Sequence, residues 1–166
     1  MREIFARRSI RKYTSKKVEE EKIDKIIRAG FAAPSCGNQR ITHFIVIKNK
    51  EILNSIADIH GYAESLREAD TAVAVCANLE EEVYEGFWVQ DCAAAAQNML
   101  TEAVHLELGA VWLGVHPKQR IIQNVNSILE LPENVKALSI ISLGYAAEEK
   151  EASDRYIKDK VHFETW

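Results

Sequence analysis

The chain has 166 residues, 47% of them hydrophobic and 28% charged. A chain of this length buries roughly 68–70% of its unfolded surface, which excludes a disordered polymer and predicts one domain, residues 1–166. Twenty-one Lys and Arg against 25 Asp and Glu leave a net charge of −4, which opposes the broad basic face that duplex nucleic acid requires.

No run of 18 uncharged apolar residues occurs, so no membrane-spanning helix is predicted. The first eight residues lack the apolar stretch of a signal peptide, and three cysteines, an odd number, read as reduced thiols. Together these features predict a cytoplasmic protein.

Residues 2–8 predict a short helix. They begin a basic terminus: residues 1–17 hold seven basic side chains and one acidic one, a net +6, which leaves −10 on the other 149 residues. That asymmetry points to a negative partner near the N-terminus. Glu19 to Ala33 reads as a second helix, with Ile23, Ile26, Ile27 and Gly30 on one face, ended by Pro34. His43–Ile47 has strand composition. Glu51–His60 reads as a helix with Gly61 as its stop. Thr71–Cys76, apolar throughout, predicts a strand buried on both faces. Gly86–Leu108 is the longest helical pattern, with Gly109 as its expected C-cap. Ala110–Val115 predicts a strand, and Pro117 the first turn of a helix to about Leu129. Ala137–Leu143 is the fourth expected strand. The last 22 residues are polar and then mix aromatics with bases; an arm ending in Phe163 and Trp166 is expected to pack against something, such as another subunit. The order predicts an α+β fold with a central sheet covered by helices.

The familiar reactive motifs are missing. There is no Gly-x-Gly-x-x-Gly, no Gly-x-x-x-x-Gly-Lys-Ser/Thr, no His-Glu-x-x-His, no Cys-x-x-Cys and no Gly-x-Ser-x-Gly, so neither a common phosphate loop nor a metal site is expected. Cys36, beside Pro34 and Ser35, is either a nucleophile or an unreactive loop thiol.

Three polar segments remain. Arg7-Arg8-Ser9-Ile10-Arg11-Lys12-Tyr13 offers forked, charge-assisted donors to a phosphate; on an extended turn residues 7, 9 and 11 would point one way. Pro34-Ser35-Cys36-Gly37-Asn38-Gln39-Arg40 reads as a loop whose N–H groups and Asn38 amide suit the edge of a heteroaromatic ring. Lys158-Asp159-Lys160 would place two ammonium groups on one side of an extended arm. Taken singly, a solvated charge cluster or a plain connection accounts for each.

Their combination is more specific. Arg-Arg-Ser-x-Arg near the start, Ala-Pro-Ser-x-x-Asn some 25 residues on, the Ala-rich segment after Gln90-Asp91, Leu108-Gly109-Ala110-Val111-Trp112-Leu113-Gly114, and Arg-Tyr-x-x-x-Lys-Val-His at the end resemble, in order, the nitroreductase family of FMN-dependent NAD(P)H oxidoreductases. The resemblance covers nearly the whole chain and implies a short member.

It implies a sandwich with a mostly antiparallel sheet flanked by helices, in an intertwined homodimer with a C-terminal arm and FMN at the interface. By position, Arg7, Arg8, Ser9 and Arg11 would belong to the FMN-binding segment, Arg7 at the phosphate or ribityl chain and Arg11 near the pyrimidine side. Pro34, Ser35 and Asn38 would come from the partner. Leu113 and Gly114 would lie near flavin N5, and Lys158 and Lys160 would close on the phosphate. Where the family commonly has Gln-Pro-Trp, this chain has Arg40-Ile41-Thr42, which alters the expected loop. The implied activity is ping-pong reduction of nitroaromatics, quinones or similar electron-poor compounds, with NADH or NADPH as transient donor and no catalytic side chain beyond those that tune the flavin. A non-catalytic flavin-binding protein for storage or sensing is the alternative.

Overall fold

The computed structural model describes residues 2–152 and 154–166. Nine helices and strands follow one another among these residues: α1 (Arg2–Ala6), α2 (Glu20–Phe31), β1 (Thr42–Ile47), α3 (Lys50–Ile59), β2 (Thr71–Asn78), α4 (Trp88–His105), β3 (Gly109–Gly114), α5 (Gln119–Ile128) and β4 (Val135–Gly144). The strands form one antiparallel sheet in the order β1-β2-β4-β3.

Both faces of the sheet are covered, which explains why β2 carries no polar alternation. Alternate side chains of β2 enter different cores. Val73, Val75 and Ala77 meet Ile23 and Ile26 of α2 and Ala95 and Met99 of α4. Ala72, Ala74 and Cys76 meet Leu53 and Ile56 of α3 and Ile121 and Val125 of α5. Each large apolar side chain buried this way stabilises the fold by roughly 1.5–3 kcal/mol. Cys76 and Cys92 lie inside these layers, where burial pushes both thiols up to about 12. They are inert at neutral pH. Cys36 is half-buried.

Two local irregularities place the N-terminal segment and the start of α5. The β2–β4 register shifts between Val75 and Cys76, so that Leu138 bulges out of the ladder. Its carbonyl accepts instead from the Val115 and His116 N–H groups, both at 3.0 Å. At the other end of β4, Gly109 and Gly144 stand opposite one another. A Cβ on Gly109 would lie 2.6 Å from Ile10, and one on Gly144 2.8 Å from the Tyr13 ring. The paired glycines are therefore the notch over which residues 9–13 cross the sheet.

Several expected boundaries shift. Gly109 is not a C-cap: α4 ends at His105, Glu107 takes the left-handed position (φ 61°), and Gly109 opens β3. Close approach of the N-terminal segment, not helix termination, requires glycine there. Pro117 lies outside α5, which begins at Gln119 after Lys118. The long helix starts at Trp88, two residues after Gly86. Among the described residues no helix is long and apolar enough to cross a membrane.

Candidate functional site

Residues 7–14 run from α1 across the glycine notch. The Arg7 N–H donates to the Glu3 carbonyl at 2.8 Å, a helical i to i−4 bond, so Arg7 still belongs to the last turn of α1. Ser9 then pairs with Ala110, and Tyr13 with Ala146. The helical start breaks the alternation expected of residues 7, 9 and 11, and Arg7 and Arg11 enter different clefts.

The first cleft, about 370 Å³, lies between α1 and residues 154–156; Arg7 and Arg8 line it with Ile4, Phe5, Asp154, Arg155 and Tyr156. The Arg8 guanidinium ties these segments together. Its Nη1 donates to the carbonyls of Phe5 (3.0 Å) and Arg7 (2.6 Å), and its Nε to that of Glu151 (2.8 Å). Its Nη2 is buried and has no hydrogen-bond partner among the described residues.

The second cleft, about 320 Å³, gathers Arg11, Leu113 and Gly114 with His60, Tyr62, Trp112, His116 and Lys118. Its lining has basic and aromatic side chains and no carboxylate. Buried His60 anchors the rim: its Nδ1 accepts from the Tyr62 N–H (3.3 Å), so Nε2 carries the proton and donates to the Gly114 carbonyl at 2.8 Å. Arg11 is set from behind by Glu148, whose carboxylate accepts from the Arg11 N–H (2.5 Å) and the Lys12 N–H (3.3 Å). The Arg11 N–H, aided by Lys150, holds the Glu148 carboxyl below the usual range. Lys150 also donates to the Ser9 carbonyl at 2.6 Å.

The third cleft, about 130 Å³, contains Pro34 and Ser35 with Phe31, Arg40, Thr42 and Asp91. Asn38 sits on the same loop, in a left-handed conformation (φ 59°). Lys158 and Lys160 lie apart, exposed on a short 3-10 turn. One chain thus joins Arg11 to Leu113 and Gly114, and Arg7 to Arg8. It does not bring either group to Pro34, Ser35 and Asn38, or to the two lysines. Sequence reasoning missed His60, Tyr62 and Lys118, which carry no motif, and the roles of Asp91 and Glu148, whose partners lie 52 to 137 residues away in sequence. Among the described residues no cluster of His, Cys, Asp and Glu is arranged to hold a metal.

A sheet covered on both faces, crossed by a basic N-terminal segment that feeds a basic, aromatic cleft, defines an α+β sandwich. The chain matches the Nitroreductase family over residues 4–72 and 60–145, and it belongs to that family. It is 43% identical over 163 residues to a Methanothermobacter thermautotrophicus protein provisionally named an NADH dehydrogenase/NAD(P)H nitroreductase, covering 98% of this chain and 85% of that one. A solved FMN-dependent nitroreductase of Clostridium difficile superposes with a TM-score of 0.92 at 32% identity, covering 100% of both chains. A nitroreductase, provisionally so named, from Desulfovibrio desulfuricans, solved in complex with FMN, superposes at 0.86 with 31% identity, covering 99% of this chain and 96% of that one.

Proposed function

We propose that this chain is a single-domain, FMN-dependent NAD(P)H oxidoreductase that acts as an intertwined cytoplasmic homodimer on nitroaromatics, quinones or similar electron-poor compounds. The observation that carries the reading is the division of the expected cofactor residues among separate clefts of one chain. Arg11, Leu113 and Gly114 share one cleft, while Pro34 and Ser35 share another. A second copy supplies the missing half. The uncovered arm fits the same arrangement: Tyr156, Phe163 and Trp166 are exposed in the single chain, and apolar surface of that size favours a partner.

The residues present suit a phosphorylated aromatic anion. The second cleft is lined by Arg11 and Lys118 without an opposing carboxylate, and a Cβ on Gly114 would meet nothing within 4 Å, which leaves room for a flat ring against the backbone. Arg7 and Arg8, with Lys158 and Lys160 from the arm, would hold the phosphate. Ser9 would hydrogen-bond the ligand, and Leu113 and Gly114 would lie beside N5. Pro34, Ser35 and Asn38 would approach from the partner.

When bound, FMN supplies a two-electron carrier that accepts hydride from NADH or NADPH and passes it on in a second half-reaction. The chain's part is position and charge. Arg11, held by Glu148 from behind, stabilises negative charge on the pyrimidine side. The Arg7 guanidinium offers a phosphate two parallel donors. Free cysteines without a disulfide fit a reducing compartment.

The visible spectrum of the purified protein, taken before and after NADH and NADPH separately, tests this. Bound flavin that bleaches with a nicotinamide donor, with turnover on menadione, is expected. A protein that neither carries nor acquires FMN overturns the reading, and bound FMN without turnover replaces it with storage or sensing.

A further inference from the structure

The loop that carries Ser35 and Asn38 is held in an unusual shape. Gly37 (φ 51°), Asn38 (φ 59°) and Arg40 (φ 53°) all lie in the left-handed region. Such a run is sparsely populated and persists only where surrounding contacts over-determine it. A Cβ on Gly37 would lie 1.9 Å from the Tyr84 ring, so a larger residue there would have to displace that ring. Within the loop, Ser35 Oγ accepts from the Arg40 N–H at 3.0 Å, and Asn38 Oδ1 accepts from Arg40 Nε at 2.9 Å. Both bonds use acceptor oxygens, so the Ser35 hydroxyl proton and the Asn38 amide N–H₂ remain as donors.

What fixes the loop is Asp91, in the first turn of α4 and only 4% exposed. Its carboxylate accepts from two neutral groups of the loop, the Cys36 N–H at 2.9 Å and the Gln39 Nε2 at 2.7 Å. Gln39 continues the chain: its Oε1 accepts from the Val83 N–H (3.1 Å) and the Tyr84 N–H (3.0 Å). A buried carboxylate is costly unless its hydrogen bonds are complete. This one is completed by both ends of the same loop and by the favourable start of a helix.

We propose that Asp91, relayed by Gln39, is the positioning residue of the 34–40 loop, and that this pair sets where Ser35 and Asn38 meet the cofactor. The proposal rests on the FMN reading above. In this proposal Asp91 acts not by meeting the cofactor but through the loop backbone and the segment that carries Tyr84.

Hydrogen-bond direction makes the proposal testable by exchange. In Asp91→Asn, one amide N–H₂ must face either the Cys36 N–H or the Gln39 Nε2, and one donor is left facing another. In Gln39→Glu, two carboxylates meet. In the double variant the introduced amide donates to the introduced carboxylate, which still accepts from Val83 and Tyr84, while the amide oxygen keeps the Cys36 N–H. All bonds are restored with the proton direction reversed.

The experiment is a flavin-fluorescence titration of FMN with the wild-type chain, both single variants and the double variant, alongside the urea midpoint of each cofactor-free protein. Each single variant is expected to weaken FMN binding about tenfold or more. The double variant is expected to return to within about threefold of wild type. Folded single variants that bind FMN like wild type overturn the proposal, as does a folded double variant that binds no better than the singles. If the singles do not fold, the double variant decides: binding within about threefold of wild type supports the proposal, and weaker binding overturns it. Failure of all three to fold also overturns it, because the pair then belongs to the fold rather than to the site. A wild-type chain that binds no FMN is distinguished at the first titration and overturns the cofactor reading, and this proposal with it.

Discussion

The β2–β4 pair and the C-terminal arm are opposites. In β2 and β4 nearly every side chain is buried, and each finds its contacts within the same chain, on one face with α2 and α4 and on the other with α3 and α5. In residues 154–166 the large apolar groups face outward, Phe163 at 84% and Trp166 at 100% exposure. The arm is shaped by short-range bonds: the Tyr156 N–H to Asp154, Lys160 N–H to the Ile157 carbonyl, and the stacked rings of His162 and Trp166. A sheet that satisfies itself makes a stable scaffold. The arm instead leaves its large apolar groups outside the chain's own core.

That contrast can be broken or sharpened. The largest effect is expected in the sheet: Ile141→Ala, at a fully buried position of β4, is expected to cost about 2–5 kcal/mol in urea denaturation. A cost near zero would mean that the sheet is not the scaffold. Removal of residues 154–166 is expected to leave far-UV circular dichroism unchanged while weakening both self-association, by analytical ultracentrifugation, and FMN binding. A truncated chain that unfolds would make the arm part of the scaffold, and one that stays dimeric and yellow would deny its role. Arg7→Ala is expected to lower FMN affinity about ten- to a hundred-fold, the loss of a charge-assisted contact of roughly 1.5–3 kcal/mol; fluorescence titration reads it directly.

The smallest effect is a pH dependence at the strap joining the N-terminal segment to β2. Asp70 accepts from Lys17 at 2.8 Å and from the Val18 N–H at 2.9 Å. Burial lifts its carboxyl, and those two donors outweigh burial and hold it below the usual value. A depressed carboxyl stabilises the folded state above its unfolded pKa, about 3.9, and the contribution is lost as pH falls through the folded value. Between about pH 6 and pH 3 the wild-type urea midpoint should therefore fall more than that of Asp70→Asn.

How much of this was legible in the sequence depends on the range of the signal. The apolar run Thr71–Cys76 and the stripe Ile23, Ile26 are local patterns with a single physical cause, burial at a fixed period, and both read correctly. Helix ends read less well. Glycine commonly caps a helix, yet here Glu107 adopts the left-handed turn and Gly109 is small because Ile10 crosses it. Arg7 and Arg11 were expected on one side, and the last turn of α1 separates them. Asp91 was visible only as part of a family-like segment, since nothing near it in sequence announces that it holds a loop 52 to 55 residues away.

The helices and strands, the double-sided burial of β2, the basic terminus and the family are legible from the order of residues. These rest on periodicity, composition and the order of short motifs, all of which are written in neighbouring residues. The strand order β1-β2-β4-β3, the glycine notch, the allotment of Arg7, Arg11 and Ser35 to three clefts, and the hydrogen bonds of Glu148 and Asp91 emerge from the folded chain alone. Those depend on groups far apart in the chain, from 52 residues between Gln39 and Asp91 to 137 between Arg11 and Glu148. A hydrogen bond acts over about 3 Å of space and is indifferent to the length of chain between its partners.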